Sequence, residues 1–165
     1  MQLLLLLCLS AEESVVKSTV LQYLRTDPYY QCVLLVSPDV AVLDSAAATL
    51  AHDADWPLVS VGATVTEELL AVPPSRWPRA AQRRLRQLSA TSGQDPLVLF
   101  RVDVMFEPQL RLDPLVVFRQ MSRGVPLVVA WPGSYDGDTL SYAVPGHAHY
   151  RTWRDPQVGI VPLGP

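Results

Sequence analysis

Lysine is nearly missing from this sequence of 165 residues: Lys17 is the only one, and arginine carries the rest of the positive charge. A phosphate-binding loop of the form G-x-x-x-x-G-K-[ST] needs a lysine for the outer phosphates. It also needs glycines whose backbone N–H groups curl around the anion, and a hydroxyl for magnesium. The one stretch with the right setting, an apolar run, a turn and an amphipathic segment, is CVLLVSPDVAVLD from Cys32 to Asp44. Laid on the template, it puts Ser37 and Val42 at the glycines, Leu43 at the lysine and Asp44 at the hydroxyl. Val42 resists the positive φ that glycine allows, Leu43 has no charge, and Asp39 and Asp44 repel phosphate. Lys17 precedes the strand and offers no substitute. Nucleotide hydrolysis is therefore not expected, and no cofactor is expected either, with ATP and magnesium entering only if the altered loop still binds them.

Cysteine is equally scarce. Cys8 and Cys32 are the only two, too few for a disulfide framework, and the expectation is a pair of reduced, buried thiols in a cytoplasmic protein. A positive excess is lacking as well: the net charge is −3 and the pI about 5.5, so no global field draws in nucleic acid and any such contact must be local. The leucine run at the start, MQLLLLLCLS, has no basic flank and no small-x-small cleavage site after it, and Glu12 and Glu13 follow. It is too short to span a bilayer, which takes about twenty apolar residues. An apolar element docked on the core is expected there, with no membrane partner.

What is present is a globular composition, 49% hydrophobic and 18% charged, sufficient for one domain over 1–165. Helical spacing of apolar residues runs through 11–25, 41–52, 64–71, 79–88 and 112–121. Between these lie short apolar runs at 31–36, 57–61, 97–104 and 125–130, and a last one at 158–161. Strands that are apolar throughout and alternate with helices predict a parallel sheet covered on both faces, a three-layer α/β domain. Pro38 ends the first strand, and Asp44 is expected to help start the helix after it. Segment 1–28 reads as the apolar lead and a helix. Segment 131–150 reads as an aromatic flap, with Asp136-Gly137 as the turn of an antiparallel hairpin.

Several constellations bear on chemistry. The acid that would face the loop from the end of a neighbouring strand is displaced: LVLFRVDVMF puts Phe100 and Arg101 after the apolar run, and Asp103 is the only acid nearby. Arg76, Arg79, Arg83 and Arg86 fall on one face of a helix and its entry, opposite Ala81, Leu85 and Leu88. That stripe is an ordinary solvated face or a grip for phosphates or a partner's acids. His147 and His149, with Asp136 and Asp138 before them, fall short of a metal site for want of a third ligand at a diagnostic spacing. No G-x-S-x-G elbow exists for a hydrolase. Trp131, Tyr135, Tyr142, Tyr150 and Trp153 gather near the flap, as packing or as a recognition surface.

From Met105 onward the sequence MFEPQLRLDPLVVFRQMSRGVPLVVAWPGSYDGDTLSYAVPGHAHYRTW resembles the C-terminal half of the BrxF family, the small P-loop proteins of type-three BREX phage-defence systems. The likeness rests on Phe106-Glu107-Pro108, Leu112-Asp113-Pro114, Ala130-Trp131, Tyr142-Ala143 and Pro145-Gly146-His147, and extends more weakly over 29–163. It implies a P-loop NTPase-like core with a C-terminal β-hairpin flap and ATP as the family's ligand. It also implies a cytoplasmic role against phage beside the other BREX-system proteins. The departures fall on the functional positions, Val42, Leu43 and Asp44 in the loop and Phe100 and Asp103 in the Walker B strand, so no catalytic residue carries over. The combined expectation is a degenerate P-loop protein that binds other BREX-system proteins. The alternatives are an active ATPase and a nucleic-acid-binding module working through the arginine helix.

Overall fold

The computed structural model describes residues 2–91 and 93–164, with side chains for all of them except 2–13 and 91. The expected docking of the leucine run and the burial of Cys8 therefore lie outside the described residues. The first apolar run forms β1 (Cys32–Ser37), buried at every position. It lies between β4 (Leu127–Tyr135) and β7 (Gly159–Pro162), parallel to both. Beyond β4 come β3 (Leu97–Phe100) and the edge strand β2 (Leu58–Ser60), again parallel, giving the order β2-β3-β4-β1-β7. β4 runs on past the parallel sheet into an antiparallel extension with β5 (Thr139–Tyr142) and β6 (Arg151–Arg154).

Alternation along the strands divides the interior in two, because successive side chains point to opposite faces. Cys32, Leu34 and Val36 join Leu97, Leu99, Leu127, Val129 and Trp131 in one core. Val33 and Leu35 join Val98, Val128 and Ala130 in the other. The second core is covered by α1 (Gln2–Arg25), through Val20, and by α2 (Val40–Ala54), through Leu43, Ala47, Leu50 and Ala51. The first is covered by α3 (Val61–Leu70), α4 (Trp77–Thr91) and α5 (Pro114–Met121). The three-layer α/β arrangement with a mainly parallel sheet is thus present.

Caps set the helix boundaries. Asp39, not Asp44, starts α2: its carboxylate accepts from Ala41 N at 2.8 Å and Val42 N at 3.3 Å, whereas Asp44 lies inside the helix. Ser60 caps α3 through Ala63 N, so that helix begins three residues before the expected 64. Asp113 caps α5 through Val116 N, with Pro114 at the first helical position.

Three strands differ from expectation. β3 stops at Phe100 rather than 104, because Arg101 turns left-handed at φ 52° and 103–106 form a 3-10 turn. β2 is an edge strand with Leu58 exposed, so it is not buried on both faces. β4 continues to Tyr135 instead of ending at 130, because β5 pairs with its far half. β6 reads as the polar RTWR and was not foreseen. Trp153 anchors it by packing edge-on against Trp131 at 5.1 Å and donating its indole N–H to Asp113 at 3.2 Å.

Burial also acts on Cys32. It pushes the thiol from its ordinary 9.0 up to about 12, against a smaller opposing effect of Arg119's positive charge. Between those values the unfolded chain releases a proton that the folded chain keeps, so this contribution to stability is complete below pH 9 and declines as pH rises toward 12. Urea midpoints measured across that window are expected to fall with pH, and to fall less steeply in Cys32→Ala.

Candidate functional site

In an open α/β sheet, ligands bind beyond the carboxyl ends of the strands, where successive connections leave to opposite faces. Here that place lies at the ends of β1, β4 and β3. α2 leaves β1 toward one core, while Val102, Met105 and Phe106, following β3, enter the other.

β1 ends at Ser37 and α2 begins at Val40, leaving only Pro38 and Asp39 between them. Ser37 Oγ accepts from Asp39 N at 3.2 Å, which turns the chain sharply. The N-terminus of α2, the ordinary docking point for an anion, is thus capped by the chain's own carboxylate. Val42, Leu43 and Asp44, which the phosphate-loop template treats as loop positions, all lie within α2. Leu43 is 2% exposed and packs in the core, while Val42 is exposed beside a hollow of about 810 Å³ between α1, α2 and the end of β7. A loop able to wrap phosphate has no backbone here to form from, and these residues do not fit a nucleotide with magnesium.

Asp44 instead meets Arg101, whose Nε and guanidinium nitrogen donate to its Oδ2 at 3.1 and 2.8 Å. An ion pair therefore links the helix after β1 to the end of β3. The Arg101 side chain is 61% exposed, so the pair contributes little to stability. Its left-handed backbone is held by the carbonyl, which accepts from Gly62 N at 2.9 Å; a Cβ at Gly62 would stand 3.1 Å from that oxygen.

Asp103, expected from the sequence as a Walker B remnant, lines a cleft of about 170 Å³ with Pro38, Val40, Pro132, Gly133, Tyr142, Ala143 and Val144. Nucleotide and cofactor sites are larger, roughly 300 Å³ and above. The floor is rigid: the Tyr142 ring stacks on Phe106 at 3.5 Å, and Trp131 donates its indole N–H to Ser141 O at 2.8 Å. A Cβ on Gly133 would come within 1.8 Å of that same carbonyl oxygen, so the strands cannot accept a side chain there. Burial raises the Tyr142 hydroxyl above its ordinary 10.0, and the negative charges of Asp103 and Glu107 raise it further.

The other expected residues are spread across the fold. Arg76, Arg79, Arg83 and Arg86 are exposed on the outer face of α4 and its entry, with Ala81 and Leu85 buried opposite. Arg83 forms an ion pair with Glu68 of α3. His147 Nδ1 accepts from His149 N at 3.1 Å, and Asp136 and Asp138 are engaged by Thr139 in the hairpin turn. Among the described residues no three metal-ligating side chains converge. Trp131 and Tyr142 are buried and serve packing; of the flap aromatics Tyr150 alone counts among the exposed. Sequence reasoning missed the Arg101–Asp44 pair and the approach of Tyr142 to Asp103, which only the strand order brings together. No helix among the described residues is long and apolar enough to cross a membrane. No protein-family model, curated protein or solved structure matches the chain.

The two aspartates of this corner have different weights. Asp39→Ala is expected to cost about 1 kcal/mol through loss of the cap. Asp44→Ala is expected to cost about 0.5 kcal/mol or less, because its partner is solvated. Urea denaturation of the two variants at the same pH checks the order.

Proposed function

We propose that this chain is a non-hydrolysing binding protein built on a P-loop-like α/β scaffold, a degenerate relative of the BrxF family that acts in the cytoplasm by binding other proteins of a BREX-type phage-defence complex. The observation that carries the reading is the junction after β1. Two residues join strand to helix, and Asp39 occupies the amides that a phosphate would take. The ion pair of Asp44 with Arg101 adds to it, since the position where a phosphate loop needs a hydroxyl for magnesium carries a carboxylate held by an arginine instead. The phage-defence setting is supported by the resemblance that begins at Met105. Titration of the protein with a fluorescent ATP analogue and magnesium is expected to give no saturable signal, and saturable micromolar binding would overturn the reading.

A second reading, contact with nucleic acid, is favoured by Arg76, Arg79 and Arg86, which are exposed and form no ion pair among the described residues. It predicts DNA binding that weakens with salt and is lost in Arg79→Ala combined with Arg86→Ala. Binding unchanged in that double variant removes it.

A further inference from the structure

From Leu69 to Gln94 the sequence carries five arginines and no acid, in a chain whose net charge is −3. All five lie on α4 and its entry: Arg76, Arg79, Arg83 and Arg86 are exposed and Arg84 is half-buried. Arg79, Arg83 and Arg86 stand at i, i+4 and i+7, so they follow one stripe about 10 Å long. α3 packs beside α4 on the same face of the sheet, where Arg83 pairs with Glu68 and Trp77 donates its indole N–H to Leu69 O at 3.1 Å. Next to that anchor stands Leu70, 82% exposed, more than any other large hydrophobic residue among the described ones. The two helices turn Val65, Leu69, Ala81 and Leu85 inward, which leaves Leu70 and the arginine stripe on the outward side of the pair.

We propose that the outward face of α3 and α4 docks an acidic amphipathic helix of a protein partner, with its carboxylates on Arg79, Arg83 and Arg86 and an apolar side chain on Leu70. The inference rests on the protein-binding reading and names the surface and the partner's chemistry. Charge decides the sign: of the five arginines Arg83 alone has an ion-pair partner among the described residues, so the stripe is left uncompensated. Arg83 itself stays 55% exposed in its pair with Glu68, and a guanidinium has five donors, enough to hold a second carboxylate. Spacing decides the form, because acids at i, i+3 or i+4, and i+7 of a partner helix match the rise of the arginine stripe in either direction. Two observations favour a protein over a nucleic acid. Leu70 gives a phosphate backbone nothing to hold, whereas an interface combines an apolar anchor with a polar surround. Glu67 is exposed and Glu68 lies beside the stripe, so a uniform polyanion meets repulsion that a helix avoids by placing its acids only opposite arginines.

The probe is an alanine-based helical peptide of about fifteen residues, with glutamates at i, i+3, i+4 and i+7 and a leucine one turn beyond them. Binding is followed by the indole N–H resonance of Trp77, assigned by comparison with Trp77→Phe. A saturable shift is expected, at least about tenfold weaker for the peptide with glutamine in place of glutamate and for Arg79→Ala combined with Arg86→Ala, and several-fold weaker for Leu70→Ser. The indole resonances of Trp131 and Trp153, unmoved in the peptide-free variants, report that the fold is kept. Arg25→Ala, on α1 across the sheet, is expected to bind as the parent does. Absence of a saturable shift, equal binding of the glutamine peptide, or unchanged affinity in the arginine or leucine variant overturns the assignment, as does a duplex DNA oligonucleotide that shifts the same resonance at lower concentration than the peptide. The first three results leave the protein-binding reading standing without this surface, the DNA result transfers the surface to nucleic acid, and saturable ATP binding overturns the protein-binding reading itself.

Discussion

Strand β1 is hydrogen-bonded on both sides, in register with β4 from Cys32 to Ser37 and with β7 from Val33 to Val36. The rest of the molecule is arranged around that double pairing. A strand so placed has no solvent face, so all its side chains must be apolar or satisfied, and it sends alternate residues into two separate cores. Those cores in turn specify which helices lie on which side. α2 can cover only the face that receives Val33 and Leu35, because its own buried stripe of Leu43, Ala47 and Leu50 belongs to that core. Moving the strand by one residue would exchange the two sets and leave both helix layers without a matching surface.

The same constraint shapes the carboxyl edge. Leu43 reaches the core from an α2 that starts close behind Ser37, after a turn of two residues. A short turn followed at once by helix leaves several N–H groups without intrahelical partners. Asp39 supplies the acceptor locally, at no cost in bringing an anion from solution. The buried Leu43 and the capping aspartate at 39 are thus parts of one packing solution. Ala130 and Trp131, central to the resemblance, serve the same architecture: they carry β4 past the sheet into the hairpin whose Tyr142 floors the cleft.

Much of the fold was legible because burial on both faces writes a continuous apolar run, and β1, β3 and β4 were each found from one. β6 was not, since RTWR buries chiefly a tryptophan and its pairing depends on β5 and on Asp113, forty residues away. The cap of α2 differs from expectation because Asp39 and Asp44 are both residue types that cap helices, and the burial of Leu43 inside the helix distinguishes them. The end of β3 escaped because Arg101 is left-handed without being glycine, held there by Gly62 from another element. The cleft was illegible for the same kind of reason. Asp103 and Tyr142 are remote in sequence, and β4 and β5 bring them together.

The electrostatics of the edge follow from these contacts. A helix N-terminus next to a sheet end ordinarily favours anions, and a phosphate site uses that field together with a lysine. Here the field is met by Asp39, the nearby cation Arg101 is neutralised by Asp44, and Asp103 and Glu107 have no ion-pair partner among the described residues. An incoming phosphate would have to displace an intramolecular cap and then sit beside carboxylates with no lysine to offset them. An incoming cation has no such cap to displace, and the carboxylates of Asp103 and Glu107 stand exposed at this edge. The carboxyl edge of this sheet therefore favours a cation over a phosphate, the opposite sign to that which a phosphate-binding loop holds.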